Sequence, residues 1–412
     1  MASLVGAGVV GATPASVPRP VTGVAVEAMR PFDDLFERFM SEHDVPGAAV
    51  CVARGGDIVY SRGFGFADLD ARTPVAPDAL FRIASISKPI TAVAVLRLVE
   101  RGTLTLDDNP FVAIGLAADL DAPGADPRLR NITIRHLLHH AAGWDREATF
   151  DPMFAYDRIA TTMGVPSPPD QVSIIRFMLR QPLDFDPGSR YAYSNFGYCV
   201  LGRVIEHATG RPYEQAVREL VLEPLGIDDM RIGRSLPADR AEREVRYHDV
   251  RARSGAAVCA PDLIVPQPYR IHHEVMDAHG AWIAGAPDLV RFATAFDDVD
   301  HSPLLGASMI ELMFAPPPGA PGHEPDGRVK DVYYGMGWSV RRVGTGRNTW
   351  HTGYINGTST LLVRRHDGLT WAVLFNGSDS ASNGRALAGL IDGPMHVAAD
   401  AVTDWPKGGA SD

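Results

Sequence analysis

Ser85 and Lys88 are the residues whose types and spacing best suit covalent catalysis. They are three residues apart, so in a helical turn their side chains are neighbours, with Cβ atoms about 5–6 Å apart. A serine hydroxyl is a weak nucleophile until a base takes its proton, and a lysine with a lowered pKa can be that base. The pair therefore predicts Ser85 as a nucleophile and Lys88 as its base.

The rarity of lysine supports this choice of base. The chain has three lysines, Lys88, Lys330 and Lys407, beside 36 arginines, and the Ser-x-x-Lys spacing occurs once. Arginine stays protonated, so a site that needs a cation able to lose its proton must keep a lysine. The alternative interpretation is an N-capping serine beside a surface lysine.

A second segment with suitable chemistry is Tyr193-Ser194-Asn195. In extended backbone, residues i and i+2 point the same way, so Tyr193 and Asn195 would face one cavity. Tyr193 would share proton transfer with Lys88, and Asn195 would hydrogen-bond a substrate carbonyl and the lysine. Taken alone, a tyrosine here is also typical of a buried core aromatic.

A third segment, His351-Thr352-Gly353, precedes a late hairpin. Gly353 has no side chain, so substrate backbone can approach this strand and pair with it as an added strand. We expect the backbone N–H groups of Ser85 and Tyr354 to bind a developing oxyanion. We expect His351 to hold a substrate carboxylate or to assist proton transfer.

Hydrophobic patterning predicts the elements that must position these residues. Strand patterns near both ends form two hairpins, with turns at Gly55-Gly56 and Asp367-Gly368. Residues 87–101 have the apolar spacing of a helix. Further helices are predicted at residues 171–180, 196–210, 212–226 and 384–400. Strands at both ends with helices between them indicate an α/β fold with an inserted all-α domain.

The expected boundaries follow from this pattern. Residues 1–26 are predicted to be a disordered leader, 27–108 plus 276–405 an α/β sheet domain, and 109–275 a helical insertion. The apolar run from Leu4 to Val10 is not preceded by Lys or Arg, which favours a cytoplasmic protein. Export, with this run as a signal remnant, is the alternative.

Composition excludes some classes of partner. The 412-residue chain carries a net charge of −11 and so has no general attraction for nucleic acid. No apolar run reaches the length of about 18 residues that a membrane-spanning helix needs. The three cysteines do not form a disulfide pattern, and we expect Cys51 and Cys199 to be buried free thiols.

The histidines give no metal motif. His139-His140 and His272-His273, the latter near Glu274 and His279, fit neither HExxH nor another zinc spacing. We therefore expect structural or surface histidines here, with no metal and no cofactor.

Taken together and in this order, the three motifs resemble those of the serine β-lactamase and penicillin-recognising hydrolase superfamily. The resemblance is closest to the class C branch, whose second motif is Tyr-x-Asn. That branch holds class C β-lactamases, D-alanyl-D-alanine carboxypeptidases, D-aminopeptidases and family VIII esterases. The resemblance covers about residues 32–400 and includes LFRIASISKPITAVAVLRLVERGTLTLDD (80–108), LLHHAAGW (137–144), PLGIDDM (224–230), GAWIAGAPDLVRF (280–292) and YGMGW (334–338).

This resemblance implies a mixed, mostly antiparallel sheet flanked by helices, an all-helical domain, and a site between them. Ser85 would be acylated by a small-molecule or short-peptide ester or amide, with Lys88 and Tyr193 sharing the base role. Class C β-lactamases typically have Lys-Thr-Gly as the third motif, so His351 favours an esterase or peptidase-like amidase over a β-lactamase. Residues 145–170 and 231–275 match no motif of the family.

Three alternatives remain open at this point. The first is a β-lactamase of the same fold, and the second is acyl transfer to an amine or alcohol in place of water. The third is a non-catalytic sensor that binds acyl compounds. The natural substrate and the oligomeric state are not determined by the sequence.

Overall fold

A large antiparallel sheet forms the centre of the molecule in the computed structural model, which describes residues 19–406. The strands in chain order are β1 Val21–Thr22, β2 Gly47–Arg54, β3 Asp57–Asp68, β4 Thr73–Pro74, β5 Phe81–Arg82, β6 Arg231–Ile232, β7 Ser254–Ala256, β8 Ile264–Pro266, β9 Trp282–Ala284, β10 Val332–Tyr334, β11 Ser339–Val343, β12 Gly346–Ile355, β13 Thr358–Arg364 and β14 Leu369–Phe375. Eight strands of this sheet follow the order β1-β3-β2-β14-β13-β12-β11-β10, and β4 pairs with β3.

The two ends of the chain complete one sheet, as the sequence pattern predicts. The N-terminal hairpin β2–β3 meets the C-terminal hairpin β13–β14 where β2 pairs antiparallel with β14. Gly55 and Gly56 both have positive φ, which the tight turn between β2 and β3 requires. Both predicted hairpins are confirmed.

Helices cover both faces of the sheet. They are α1 Arg30–His43, α2 Ser87–Glu100, α3 Pro110–Ala113, α4 Ile134–Leu138, α5 Tyr156–Met163, α6 Gln171–Met178, α7 Asn195–Thr209, α8 Tyr213–Val217, α9 Asp277–Gly280, α10 Ala286–Thr294, α11 Ala307–Phe314 and α12 Leu387–Ala401. Aromatic residues of α1 pack with α12 against one face. The other face joins α10, α2 and α7 in a second, larger core. Because both faces are covered, β2 and β14 are apolar and buried along almost their whole length.

The predicted insertion at residues 109–275 is helical only in its first part, so the all-α prediction needs correction. Beyond α8, β6 pairs with β9, and β7 and β8 form a separate hairpin. These strands have two or three residues each. Strands this short carry too few residues for an alternating pattern to show in the sequence.

The predicted leader is too long. Residues 1–18, with the apolar run from Leu4 to Val10, lie outside the described residues. From Arg19 onward the chain belongs to the fold, because Val21 pairs with Phe64 and the Arg62 guanidinium donates to Thr22 O at 2.8 Å. Among residues 19–406 no helix is both long and apolar enough to cross a bilayer. Cys51 and Cys199 are buried free thiols, as predicted.

Candidate active site

Ser85 lies in a short 3-10 turn, Ala84–Ile86, immediately before α2. Ala84 has a φ of +46°, a left-handed conformation that is uncommon for a residue with a Cβ. Tertiary contacts hold the turn in this conformation: Ile83 N–H donates to Trp282 O at 3.0 Å, and the Thr360 hydroxyl donates to Ile83 O at 3.0 Å. Ser85 is therefore presented by a strained turn on a rigid support.

Gly353 makes the close approach of strand and turn possible. A Cβ on Gly353 would collide with Ile83 O and with the Thr360 hydroxyl. We predicted that the missing side chain lets substrate approach the strand. In the structure, another segment of the same chain, and not a substrate, approaches Gly353. The glycine allows β12 to pack against the turn that carries Ser85.

Lys88 is completely buried in the first turn of α2, and three acceptors surround its amine. Nζ lies 3.0 Å from Ser85 Oγ, 2.8 Å from Asn195 Oδ1 and 2.9 Å from His279 O. Burial lowers the pKa of Lys88 well below its usual value; the Asp151 charge opposes this effect and the Arg146 charge adds to it. The structure thus brings the Lys88 amine and the Ser85 hydroxyl together, as their spacing predicts.

The partners of Nζ indicate where its lone pair points. The Asn195 amide Nδ2 donates to Asp151 Oδ2 at 2.6 Å, so Asn195 Oδ1 faces the lysine and accepts a hydrogen bond from it. The carbonyl of His279 also accepts only. In the neutral form of the amine, its two N–H bonds satisfy these two acceptors and its lone pair is directed at the Ser85 hydroxyl.

Ser87 is the other serine of the Ser85-Ile86-Ser87-Lys88 motif, and the structure gives it a structural place. It is fully buried, and its Oγ accepts from Trp282 N–H at 3.4 Å. Ser85, in contrast, lines a cleft of about 300 Å³. Access to the cleft therefore separates the two serines.

Tyr193 and Asn195 both reach Lys88, as their spacing predicts. The lysine Nζ lies 4.7 Å from the centre of the Tyr193 ring. Ser194 points elsewhere and caps α7 through a bond from Gly197 N–H. Burial raises the pKa of the Tyr193 phenol above its usual range, and an interaction with the Ser85 side chain opposes that rise.

Two further residues of the site, Arg146 and Asp151, belong to a stretch that matches no motif. The Asp151 carboxylate accepts from Asn195 and is itself largely buried, which raises its pKa. The Arg146 guanidinium lies over the Tyr193 ring at 4.9 Å and lines the cleft. The Asp151-Pro152 pair signals only the start of a short helix, so no sequence signal connects Asp151 with Asn195.

His351 has a different environment from the one its motif predicts. It is buried; its Nδ1 lies 2.7 Å from Thr352 O and its Nε2 lies 3.0 Å from the Tyr334 hydroxyl. Nδ1 therefore carries the proton, and Nε2 accepts from Tyr334. Burial and the Lys88 charge lower the pKa of His351 to about 3. With both nitrogens bonded and a lowered pKa, His351 does not readily supply a cation to a substrate carboxylate, and its role in substrate binding stays a prediction.

The strand edge beside the cleft is open. β11 pairs with β12 only as far as Ser339 opposite Trp350, whereas β13 pairs with β12 up to Ile355. Tyr354 lines the cleft with Ser85, and its half-exposed phenol donates to Asp379 at 3.0 Å. The predicted oxyanion donors, the N–H groups of Ser85 and Tyr354, thus belong to residues on the wall of one cleft.

We expect Asp151 to act as a positioning residue, and Asp151→Asn tests this. In this variant a neutral amide replaces the carboxylate that accepts from Asn195. The charge-assisted hydrogen bond becomes a neutral one, which costs about 1 kcal/mol, so kcat should fall about fivefold. The Asp151 charge raises the pKa of Lys88. Its removal should therefore move the acidic limb of the kcat/KM profile to lower pH.

Glu147→Gln provides the matched control for Asp151→Asn. It removes one nearby negative charge from a side chain that is 82% exposed and contacts Arg146. This variant should keep the wild-type profile, because solvent screens an exposed charge. An equal shift in both variants, or no shift in Asp151→Asn, would contradict the positioning role.

The chain is similar in sequence to a known family and in fold to solved structures. A family model described as Beta-lactamase matches residues 32–393. Esterase EstB of Burkholderia gladioli is 36% identical over 264 residues, which cover 63% of this chain and 62% of EstB. Penicillin-binding protein 4 of Amycolatopsis lactamdurans is 29% identical over 299 residues, covering 69% of this chain and 70% of the relative.

Among solved structures, the D-amino acid amidase from Ochrobactrum anthropi SV3, complexed with L-phenylalanine amide, is similar with a TM-score of 0.65. The alignment covers 91% of this chain and 97% of the amidase at 23% sequence identity. At that identity the likeness concerns the fold. The predicted fold class, a β-lactamase-like sheet with flanking helices, is confirmed.

Proposed function

The chain belongs to the beta-lactamase family, and on that premise we propose that it is a serine hydrolase that cleaves carboxylic esters through an acyl-enzyme on Ser85. One observation carries the proposal. The buried Lys88 amine lies 3.0 Å from the Ser85 hydroxyl, and its other two contacts are both acceptors. This is the arrangement in which a neutral lysine activates a serine.

In the proposed reaction Ser85 Oγ attacks the ester carbonyl carbon, and its proton passes to Lys88 Nζ. The Tyr193 phenol shares this transfer by relaying the proton to the leaving alcohol. The N–H groups of Ser85 and Tyr354 bind the oxyanion of the tetrahedral intermediate. Collapse of this intermediate breaks the bond to the alcohol, which leaves. Water then attacks the acyl carbon and gives its proton to Lys88; the bond from Ser85 Oγ to the acyl group breaks, Lys88 returns the proton to Oγ, and the carboxylic acid leaves.

The walls of the cleft favour an ester over a substrate with a free ammonium group. Its described lining residues are Ala84, Ser85, Arg146, Phe154, Asn195, Ile271, Met276, His279, Gly280, Tyr354, Ile355 and Asn356. None of these is acidic, so a substrate ammonium would lie in the cleft without a counter-charge. The apolar members suit a short aliphatic or aromatic acyl group.

A second candidate is hydrolysis of short peptide amides. The open edge of β12 beyond Trp350 favours it, because an extended peptide can pair there as an added strand. A dedicated β-lactamase is less well supported, because His351 is neutral and does not attract the β-lactam carboxylate as a lysine would.

A substrate panel tests the proposal. We expect p-nitrophenyl butyrate to be hydrolysed with a kcat/KM at least about tenfold above that of benzylpenicillin or D-alanine p-nitroanilide, since one missing charged contact costs about 1.5–3 kcal/mol. Steady-state rates on all three compounds decide it. A faster anilide would favour the second candidate, and a faster penicillin would contradict both.

A further inference from the structure

A cluster of three different donor side chains lies outside the catalytic machinery. Cys259, in the loop between β7 and β8, meets His272 and Glu274 from the segment that leads to α9. One sulfur, nitrogen or oxygen atom of each lies within 4.8 Å of the corresponding atoms of the other two. None of the three side chains contacts Ser85, Lys88 or Tyr193, so the proposed hydrolysis does not use them.

The contacts of the cluster leave its donor atoms available. His272 Nδ1 is buried and has no hydrogen-bond partner among the described residues. The Cys259 thiol has one weak contact, with Ser235 Oγ at 3.5 Å. Ser235 donates to both oxygens of Glu274, from its N–H to Oε1 at 3.2 Å and from its hydroxyl to Oε2, which orients the carboxylate from behind. Each carboxylate oxygen keeps a second lone pair with which it can bind a metal. Such an outer contact is typical of a carboxylate that binds a metal.

We propose that Cys259, His272 and Glu274 bind a zinc ion, with water as the fourth ligand. Thiolate, imidazole and carboxylate are all zinc ligands, whereas Mg²⁺ and Ca²⁺ prefer sites made of oxygen alone. Tetrahedral zinc places its ligand atoms about 3.3–3.8 Å apart, so a contraction of about 1 Å closes the site. Binding replaces the thiol proton, which is released to solvent.

The site would tie the Cys259 loop to a segment that forms one wall of the cleft. Ile271 and Met276, which line the cleft, flank His272 and Glu274 in sequence. The same segment continues to His279, whose carbonyl accepts from Lys88. Zinc would therefore fix the Cys259 loop to this wall. The proposal goes beyond the proposed function and does not depend on it.

The cysteines of this chain make zinc binding measurable by thiol labelling. Cys51 and Cys199 are fully buried, and Cys259 is exposed. In the native protein, made without a histidine tag and stripped with a chelator, a chromogenic disulfide reagent should therefore label one thiol. At free Zn²⁺ about ten times Kd, about one chain in eleven has a free thiol, so labelling should slow about tenfold.

His272→Ala is the decisive variant, because it keeps the thiol and removes one ligand. Its Cys259 should be labelled as in the stripped wild type, and Zn²⁺ should give no protection. His301→Ala, which removes a histidine that is 82% exposed and pairs with Asp298, should keep full protection. Titration against a colorimetric zinc chelator should give one Zn²⁺ per wild-type chain and none for Cys259→Ser.

If either variant fails to fold, Glu274→Gln takes its place in the test. It changes the side-chain volume little and should weaken the protection of the Cys259 thiol by Zn²⁺. Equal protection of wild type and His272→Ala would overturn the proposal. Fewer than about one bound Zn²⁺ per ten chains, measured when the colorimetric zinc chelator is saturated, would also overturn the proposal.

Discussion

Ser85→Ala is expected to lower kcat for p-nitrophenyl butyrate by about 10³-fold or more, with the fold intact. In the proposed reaction this side chain carries the atom that becomes acylated, so its loss removes the covalent pathway. Alanine keeps the Cβ and removes only the hydroxyl, so the backbone of the turn should not change. Steady-state kinetics and intact-mass analysis after a fluorophosphonate probe measure the effect, and one adduct per wild-type chain should disappear in the variant.

Ser87→Ala is the matched control for Ser85→Ala. Ser87 is two residues away in the same motif, but it is buried and bonded to Trp282. We expect Ser87→Ala to keep labelling and to lower the free energy of unfolding by about 1 kcal/mol for the lost hydrogen bond. Loss of labelling in Ser87→Ala with retention in Ser85→Ala would show that Ser87 is the nucleophile.

Lys88→Arg is expected to lose about 10²–10⁴-fold in kcat, nearly as much as Lys88→Ala, because the guanidinium does not accept a proton at neutral pH. Burial lowers the pKa of Lys88, so the amine loses its proton more readily than a free lysine. Activity of the wild type should therefore rise with pH as Lys88 deprotonates. That limb of the kcat/KM profile should be absent in both variants.

Lys330→Arg makes the same substitution at a partly exposed lysine whose amine donates to Ala320 O. It should leave kcat within the error of measurement. Because a bulkier arginine at a fully buried position can disturb packing, Lys88→Ala is also assayed with added ethylamine. Partial rescue that increases with the concentration of free amine would identify the lost group as a base. More than about a tenth of the wild-type rate in Lys88→Arg would contradict the base role.

Features of short range were predictable from the sequence. The glycines at the turn of β2 and β3 and the apolar period of α2 depend on backbone rules that act within a few residues. The pairing of Ser85 with Lys88 is of the same kind, because a spacing of three in a helical turn places the two side chains together. The scarcity of lysine pointed to the same residue without any knowledge of the fold.

Other features depend on segments that are far apart in the chain. Asp151 and Asn195, 44 residues apart, form the bond that directs the amide oxygen toward Lys88. Gly353 is required by the backbone of Ile83, and only the packing of β12 against the nucleophile turn reveals that requirement.

Burial decided the chemistry of the remaining residues. A histidine at position 351 predicts a group that titrates near neutral pH, yet burial, together with the Lys88 charge, lowers its pKa to about 3. The sequence determined which residue types were available and which lay close along the chain. The tertiary structure alone decided their protonation and their partners, because desolvation and long-range hydrogen bonds exist only once distant segments have packed together.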